Sequence, residues 1–91
     1  MFVLISYDIE DDKRRLQVSK ILENHGTRIQ YSVFECLITK EQLQSIIEAV
    51  AEIIDVEKDS VRYYRICQSC VEKIEITGSG NITKKEDFYI I

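Results

Sequence analysis

Three observations predict that the 91-residue chain folds as an α+β domain with the element order β-α-β-β-α-β. The N-terminal run Phe2–Tyr7 is largely apolar at both alternating sets of positions, which is typical of a strand buried on both faces. Two segments with helical periodicity follow, separated by strand-like residues. This order is that of the ferredoxin-like sandwich, whose antiparallel sheet carries both helices on one face.

The first helix is expected to begin at Asp11 or Asp12, either of which can act as its N-cap, and to end near His25. Gly26 then falls at the C′ position, where a left-handed conformation costs glycine least. Leu16 lies opposite the apolar face and is either exposed or covered by another chain. The apolar face itself contains Val18, Ile21, Leu22 and His25.

Residues 27–38 predict two strands joined by a turn near Tyr31–Ser32. Thr39 and Gln42 form a capping box for the second helix. Three strands are expected after it: Ser60–Ile66, Val71–Thr77 and a short one within Asp87–Ile91. The second helix has an unbroken apolar stripe, made of Leu43, Ile46, Ile47, Val50, Ala51 and Ile54.

The strand after Cys70 cannot complete this sheet without crossing the fold. We therefore expect it to pair with a second copy of the chain across a two-fold axis, as a swapped strand in a homodimer. Residues 1–78 then form one domain that includes this strand, and residues 79–91 form a C-terminal tail.

The composition limits the class of function. A net charge of −4 gives no general case for nucleic-acid binding, although residues 13–28 are locally basic. No apolar run approaches the roughly 20 residues that cross a bilayer, and no signal peptide is evident, so no membrane partner is expected. Three cysteines, an odd number, favour a reducing, cytoplasmic environment.

Asp8 stands where the N-terminal strand ends. Mg²⁺ prefers one or two carboxylates and keeps several waters, so this residue is a candidate metal ligand. One aspartate is a poor site, but a neighbouring two-fold axis would supply a second Asp8. The alternative is that Asp8 only marks the point where the strand meets water, or caps a helix.

Arg14, Arg15 and Arg28 are candidate phosphate ligands, because guanidinium groups bind phosphate bidentately. The alternative for the first two is ion pairing with the nearby acidic residues 10–12. Phe34 is either a core residue or, if exposed, a platform for a base.

The motif Cys67-Gln68-Ser69-Cys70 is a single CxxC. Too few further ligands accompany it for structural zinc. A thioredoxin-like role needs a βαβ context that a strand end lacks. We expect reduced, half-buried thiols.

Two blocks of the sequence closely resemble the CRISPR-associated protein two family. The first runs from Tyr7 to Arg15 (YDIEDDKRR), and the second from Gly26 to Glu35 (GTRIQYSVFE). The segment Tyr64–Cys70 and Gly78 also look like family members. The likeness extends over residues 1–78.

The resemblance implies a homodimer in which the two Asp8 side chains face the dimer axis and hold one Mg²⁺. It implies a metal-dependent endonuclease that cuts single-stranded RNA or double-stranded DNA. The positions around that site are Tyr7, Arg15, Arg28, Ser32 and Phe34.

The resemblance also implies an architectural role in spacer acquisition. In that role the dimer lies at the centre of the integrase complex, bridges two CRISPR integrase dimers and supports the prespacer DNA duplex. Arg14 and Arg15 are the positions that would touch phosphates, while Gln17 stands where some members have another arginine.

A small-molecule regulatory dimer of the same fold is an alternative that does not depend on the resemblance. It is disfavoured because the chain has no glycine-rich loop.

Overall fold

The computed structural model describes residues 1–83. It contains four strands and three helices in the order β1, α1, β2, β3, α2, β4, α3. None of these helices is long and apolar enough to cross a membrane. The element bounds are β1 Phe2–Asp8, α1 Asp12–Glu23, β2 Gly26–Gln30, β3 Val33–Leu37, α2 Lys40–Ile53, β4 Ser60–Ile66 and α3 Gln68–Val71.

The four strands form one antiparallel sheet in the order β2-β3-β1-β4, with β1 in the interior. In the register, Ile5 lies opposite Phe34 of β3 on one side and Tyr63 of β4 on the other. The predicted α+β order and antiparallel sheet are therefore confirmed.

The helices α1 and α2 pack on the same face of the sheet. Val3, Ile5 and Tyr7 of β1 are buried there together with residues of α1 and α2. Leu4 and Ser6, on the other face of β1, are only half-buried. The expectation of a strand buried on both faces is therefore correct for the helix side and only partly so for the open face.

The predicted helix caps are present. The Asp11 side chain accepts from the Arg14 backbone N–H at 2.9 Å and caps α1. Thr39 and Gln42 form the reciprocal capping box of α2, with bonds of 2.8 and 3.1 Å. Of the expected stripe on α2, Ala51 is exposed because it lies at the margin of the apolar face.

Gly26 does not adopt the predicted left-handed conformation. It is the first residue of β2, and the glycines with positive φ among residues 1–83 are Gly78 and Gly80. A side chain at Gly26 would collide with β3, since its Cβ would lie 2.5 Å from the Glu35 carbonyl oxygen. Close strand approach, rather than helix termination, explains this glycine.

The predicted strand Val71–Thr77 is wrong at its start, because Val71 belongs to α3, and the pairing of this segment with a second copy of the chain stays a prediction. The chain instead turns into α3, where Val71 N–H donates to the Cys67 carbonyl at 2.9 Å. Residues 72–83 form no regular element. The local bonds of α3 satisfy backbone groups that a strand would have paired with a neighbour. The other expected strand, Asp87–Ile91, lies outside the described residues.

The end of the described chain returns to the sheet. Glu35, a buried carboxylate on β3, accepts from the Thr83 backbone N–H at 3.1 Å and from its hydroxyl at 2.6 Å. A buried carboxylate requires such partners. This contact holds Thr83 against the sheet.

An ion pair fastens the start of α1 to the start of β4. Arg14 donates to both carboxylate oxygens of Asp59, at 2.7 and 3.2 Å. The Asp59 carboxylate also accepts from the Asp55 backbone N–H at 2.9 Å, and its side chain is 1% exposed. The guanidinium of Arg14 is therefore occupied by a structural partner that lies 45 residues away in the chain.

We predict that Asp59→Asn reduces stability most at neutral pH. The hydrogen bond from Arg14, followed by that from the Asp55 N–H, lowers the pKa of Asp59 below its ordinary value of 3.8. Because this pKa is lower in the folded chain, the stabilisation is complete above that ordinary value and is lost as the pH falls through the lowered pKa. Urea denaturation from neutral pH into the acid range measures the difference.

Glu57→Gln, at an exposed position of the same loop, is the control and should leave the free energy of unfolding nearly unchanged. If the gap between wild type and Asp59→Asn does not shrink in acid, the ion pair does not stabilise the fold in the way described.

Candidate functional site

Asp8 is the last residue of the interior strand β1, and it is exposed. In the register it lies opposite Ser60 of β4, on the sheet face that the helices leave open. None of the hydrogen bonds within residues 1–83 engages its carboxylate. The strand therefore presents an acidic side chain from a rigid position, with its oxygens available to a ligand.

Arg15 fixes the backbone that follows Asp8. Its guanidinium donates to the carbonyl oxygens of Ile9 and Glu10, at 3.0 and 3.1 Å, and also to the Asp12 carboxylate. Arg15 therefore lies at the end of the first strand, beside Asp8. Of the alternatives raised by the sequence, pairing with Asp12 is real, and the carbonyl contacts add a positioning role.

Arg28, Phe34 and Tyr7 form a stack on the helix side of the sheet. The Arg28 guanidinium carbon lies 4.9 Å from the Phe34 ring centroid, and the Tyr7 and Phe34 rings lie 6.4 Å apart with an interplanar angle of 27°. Arg28 also donates to the Tyr31 carbonyl at 2.5 Å and to Glu23 at 3.3 Å. This arrangement gives the charge a defined position at the surface.

Phe34 is fully buried. Of the two sequence interpretations, the core residue is therefore the one found, and the ring is not available to stack on a base. Its contact with Arg28 makes it a positioning residue for that cation, stabilised by the attraction between a cation and an aromatic face.

Two adjoining clefts bring most of the predicted residues together. One, of about 340 Å³, is lined by Asp8 and Arg15 together with Ser32. The other, of about 290 Å³, lies beside Arg28. Tyr7, although only 5% exposed, contributes to the walls of both. Its backbone N–H donates to the Ser32 carbonyl at 3.1 Å, which ties the β2–β3 turn to the end of β1.

Arg14 lines neither of these clefts. Its bond to Asp59, rather than the pairing with residues 10–12 alone, accounts for its orientation. This partner was not predicted from the sequence, because Arg14 and Asp59 are 45 residues apart and no local sequence pattern relates them.

Two further residues belong to this surface and were not singled out from the sequence. Tyr31 is 88% exposed and lines both clefts. Arg62 is exposed on β4, opposite Ser6, and shares a third cleft of about 260 Å³ with Asp8. The alternation of β4 could have located Arg62, because the half-buried Val61 and Tyr63 flank it.

One copy of the chain supplies few metal ligands. Within residues 1–83 no group of three or more His, Cys, Asp or Glu side chains could hold an ion. The free Asp8 carboxylate suits Mg²⁺, which accepts one or two carboxylates and completes its coordination with water. Asp8 therefore provides one of the one or two carboxylates that Mg²⁺ accepts, and a second copy of the chain could provide another.

The comparison of sequences identifies one family. The model of the CRISPR associated protein Cas2 family matches residues 1–74. The chain is also similar to CRISPR-associated endoribonuclease Cas2 1 of Chloroflexus aurantiacus, with 45% identity over an alignment of 93 residues that covers 100% of both proteins.

The comparison of structures agrees. The crystal structure of Streptococcus pyogenes Cas2 at pH 6.5 matches with a TM-score of 0.76 and 34% identity, over 86% of this chain and 100% of that one. A chain of a partial Cas6-RT-Cas1–Cas2 complex matches with a TM-score of 0.71 and 26% identity, over 82% of each chain.

Proposed function

The chain belongs to the CRISPR-associated Cas2 family, and from this premise we propose that it is a homodimeric subunit of CRISPR adaptation with phosphodiesterase activity on nucleic acid. The observation that carries the proposal is the unengaged Asp8 carboxylate at the end of the interior strand, with Arg15 beside it. The relative from Chloroflexus aurantiacus, which bears the name endoribonuclease, supports the reaction class.

The proposed cofactor is one Mg²⁺ per homodimer, held by Asp8 of each copy. Such an ion would polarise a phosphoryl oxygen and lower the pKa of bound water. A shared ion explains how Asp8, one carboxylate per chain, could complete a metal site even though residues 1–83 contain no cluster of three ligands. It also makes dimerisation a condition of activity.

The chain's own residues orient the scissile phosphate. Arg15 holds the backbone after Asp8, so the carboxylate stays where β1 places it. Arg28 lines the adjoining cleft and would provide positive charge to a nucleic acid that extends across both clefts, where preorganised charge can lower a barrier. The cleft residues include no nucleophile paired with a general base, so water is the proposed attacking group.

Nucleic acid would lie across the clefts lined by Tyr7, Arg15, Arg28 and Ser32. We add Arg62, which shares a cleft with Asp8. Arg14 is better explained as part of the fold, because a buried carboxylate occupies its guanidinium. Both single-stranded RNA and duplex DNA carry the phosphates that this surface would recognise.

A second role is favoured by one specific observation, the likeness to a chain from a complex that contains Cas1. In this role the homodimer bridges two integrase dimers and supports the prespacer duplex, and it needs no chemistry from Asp8. We propose that this scaffold is the physiological role and that hydrolysis is a capacity of the same dimer under suitable conditions.

We predict that Asp8→Asn lowers Mg²⁺-dependent cleavage of single-stranded RNA or duplex DNA by about 10²–10³-fold, the scale expected when one group that stabilises the transition state is removed. Spacer integration, measured with the integrase and a prespacer duplex, should persist because the scaffold needs no carboxylate. The matched control is Glu10→Gln, which removes a nearby exposed carboxylate and leaves the ion pair of Arg15 intact, so cleavage should be nearly unchanged.

Unchanged cleavage by Asp8→Asn would remove the proposed catalytic site. The same variant could instead lose integration while it still forms a normal dimer and binds the integrase normally. That result would refute a scaffold role that needs no chemistry from Asp8.

We predict that Arg15→Ala weakens duplex binding and reduces its dependence on salt. A phosphate would replace the exposed Asp12 carboxylate as a partner of Arg15, and loss of that one ion pair should lower the slope of log affinity against log salt by about 0.9 for B-form DNA. Arg14→Ala is the comparison, and it should reduce stability while leaving the slope unchanged. The opposite pattern, an altered slope for Arg14→Ala alone, would assign the phosphate bond to Arg14.

A further inference from the structure

Two exposed thiols lie where the chain leaves β4. Cys67 directly follows the last residue of the strand, and Cys70 lies within α3. Both were expected to be half-buried, but both are exposed. The Cys70 backbone N–H donates to the Cys67 carbonyl at 3.0 Å. This closes a turn in which the two Cα atoms lie within about 7 Å, close to the range that a disulfide spans.

We propose that Cys67 and Cys70 form a dithiol site that low-molecular-weight disulfides, such as oxidised glutathione, convert reversibly to an intramolecular disulfide. This site is separate from the nuclease and scaffold roles, and its existence does not depend on them. In a reducing compartment, disulfides of this kind are transient and serve catalysis or redox sensing.

The surroundings of the two sulfurs differ. Cys67 Sγ lies 3.3 Å from Ser69 Oγ. Hydrogen bonding from Ser69, followed by that from Cys70, lowers the pKa of the Cys67 thiol to about 7, while the neighbouring Cys67 raises the pKa of Cys70. Cys67 is therefore the attacking thiolate and Cys70 the resolving thiol, which is the usual division of roles in a CxxC pair.

The third cysteine, Cys36, is not expected to react with the small disulfide. Cys36 is fully buried, and its desolvation, with a smaller contribution from Glu35, raises the pKa of its thiol to about 12. It stays protonated and inaccessible, and so provides an internal control for thiol reactivity.

The exchange balances without any other reactant. The Cys67 thiolate attacks one sulfur of the small disulfide, forms a mixed disulfide and releases the first small thiolate. The Cys70 thiolate then attacks Cys67 Sγ, which releases the second one. The two cysteine protons end on the released thiols. The protein loses two electrons, and the small disulfide gains them.

The site has room for such a reactant. A cleft of about 510 Å³ is lined by Cys67 and Gln68 and also by Ile82 and Thr83. The segment that begins at α3 ends in the contact between Thr83 and Glu35. A disulfide would fix the turn from which this segment starts.

The test uses the full chain, without denaturant, and oxidised glutathione as the probe. Cys70→Ser should accumulate a mixed disulfide with one glutathione at Cys67, detected by intact mass. Cys67→Ser should react at least about tenfold more slowly, because the hydrogen bond from Ser69 that contributes most to lowering a thiol pKa in this turn is made to Cys67, and Cys70→Ser retains it. The wild type should lose two alkylatable thiols without any gain in mass from glutathione, and reduced glutathione should restore them.

Ser69→Ala, introduced into Cys70→Ser, should slow formation of the mixed disulfide, since it removes the hydrogen bond that stabilises the thiolate. Equal rates for Cys70→Ser and Cys67→Ser would overturn the assignment of roles. Retention of all three thiols by the wild type in excess oxidised glutathione, or disulfides that form between chains instead, would overturn the site.

Discussion

The interior position of β1 is the constraint on which the rest of the structure depends. Hydrogen bonds to β3 on one side and β4 on the other hold this strand along its length. Val3 and Ile5 fasten the same strand to the core, where neither side chain is exposed. Because its backbone cannot move independently, the residue at its end, Asp8, has a fixed position at the surface. The carboxylate is therefore positioned by a strand that is anchored in the core, and not by a loop.

The two faces of the sheet have different roles: residues on the helix side pack and hold a charge in position, and residues on the open face are accessible. On the helix side, Tyr7 and Phe34 back the Arg28 guanidinium, so that an aromatic stack defines where a positive charge sits. On the open face, Asp8 and Arg62 are accessible to a ligand or to another subunit. The net charge of −4 does not reveal these local positive charges. Many of the acidic residues belong to α2 and the loop that follows it, and not to the strands that carry Arg28 and Arg62.

The sequence predicted the features that local interactions determine. The capping box at Thr39 and the bounds of β4, Ser60–Ile66, were correct because side-chain spacing and strand alternation act over a few residues. The pair formed by Arg14 and Asp59 and the steric role of Gly26 were missed. Both depend on which distant segments meet, and this follows from the sheet register rather than from any local pattern.

Only part of the candidate site could be predicted, again because local interactions can be read from the sequence and contacts between distant segments cannot. Asp8 and Arg15 lie seven residues apart, so their proximity follows from a strand that leads directly into a helix. Arg62 was missed because its place beside Asp8 requires the pairing of β1 with β4. The predicted strand after Cys70 begins too early, since Val71 belongs to the short helix α3, and its pairing with a second copy stays a prediction because it depends on another chain.

The most direct test of the central claim, a metal site completed by a second copy of Asp8, is the stoichiometry of divalent-ion binding. Calorimetric titration of the dimer with Mg²⁺, or with Mn²⁺ as a spectroscopic substitute, should give one ion for every two chains, and Asp8→Asn should abolish that binding. One ion per chain, or binding that survives Asp8→Asn, would contradict the claim.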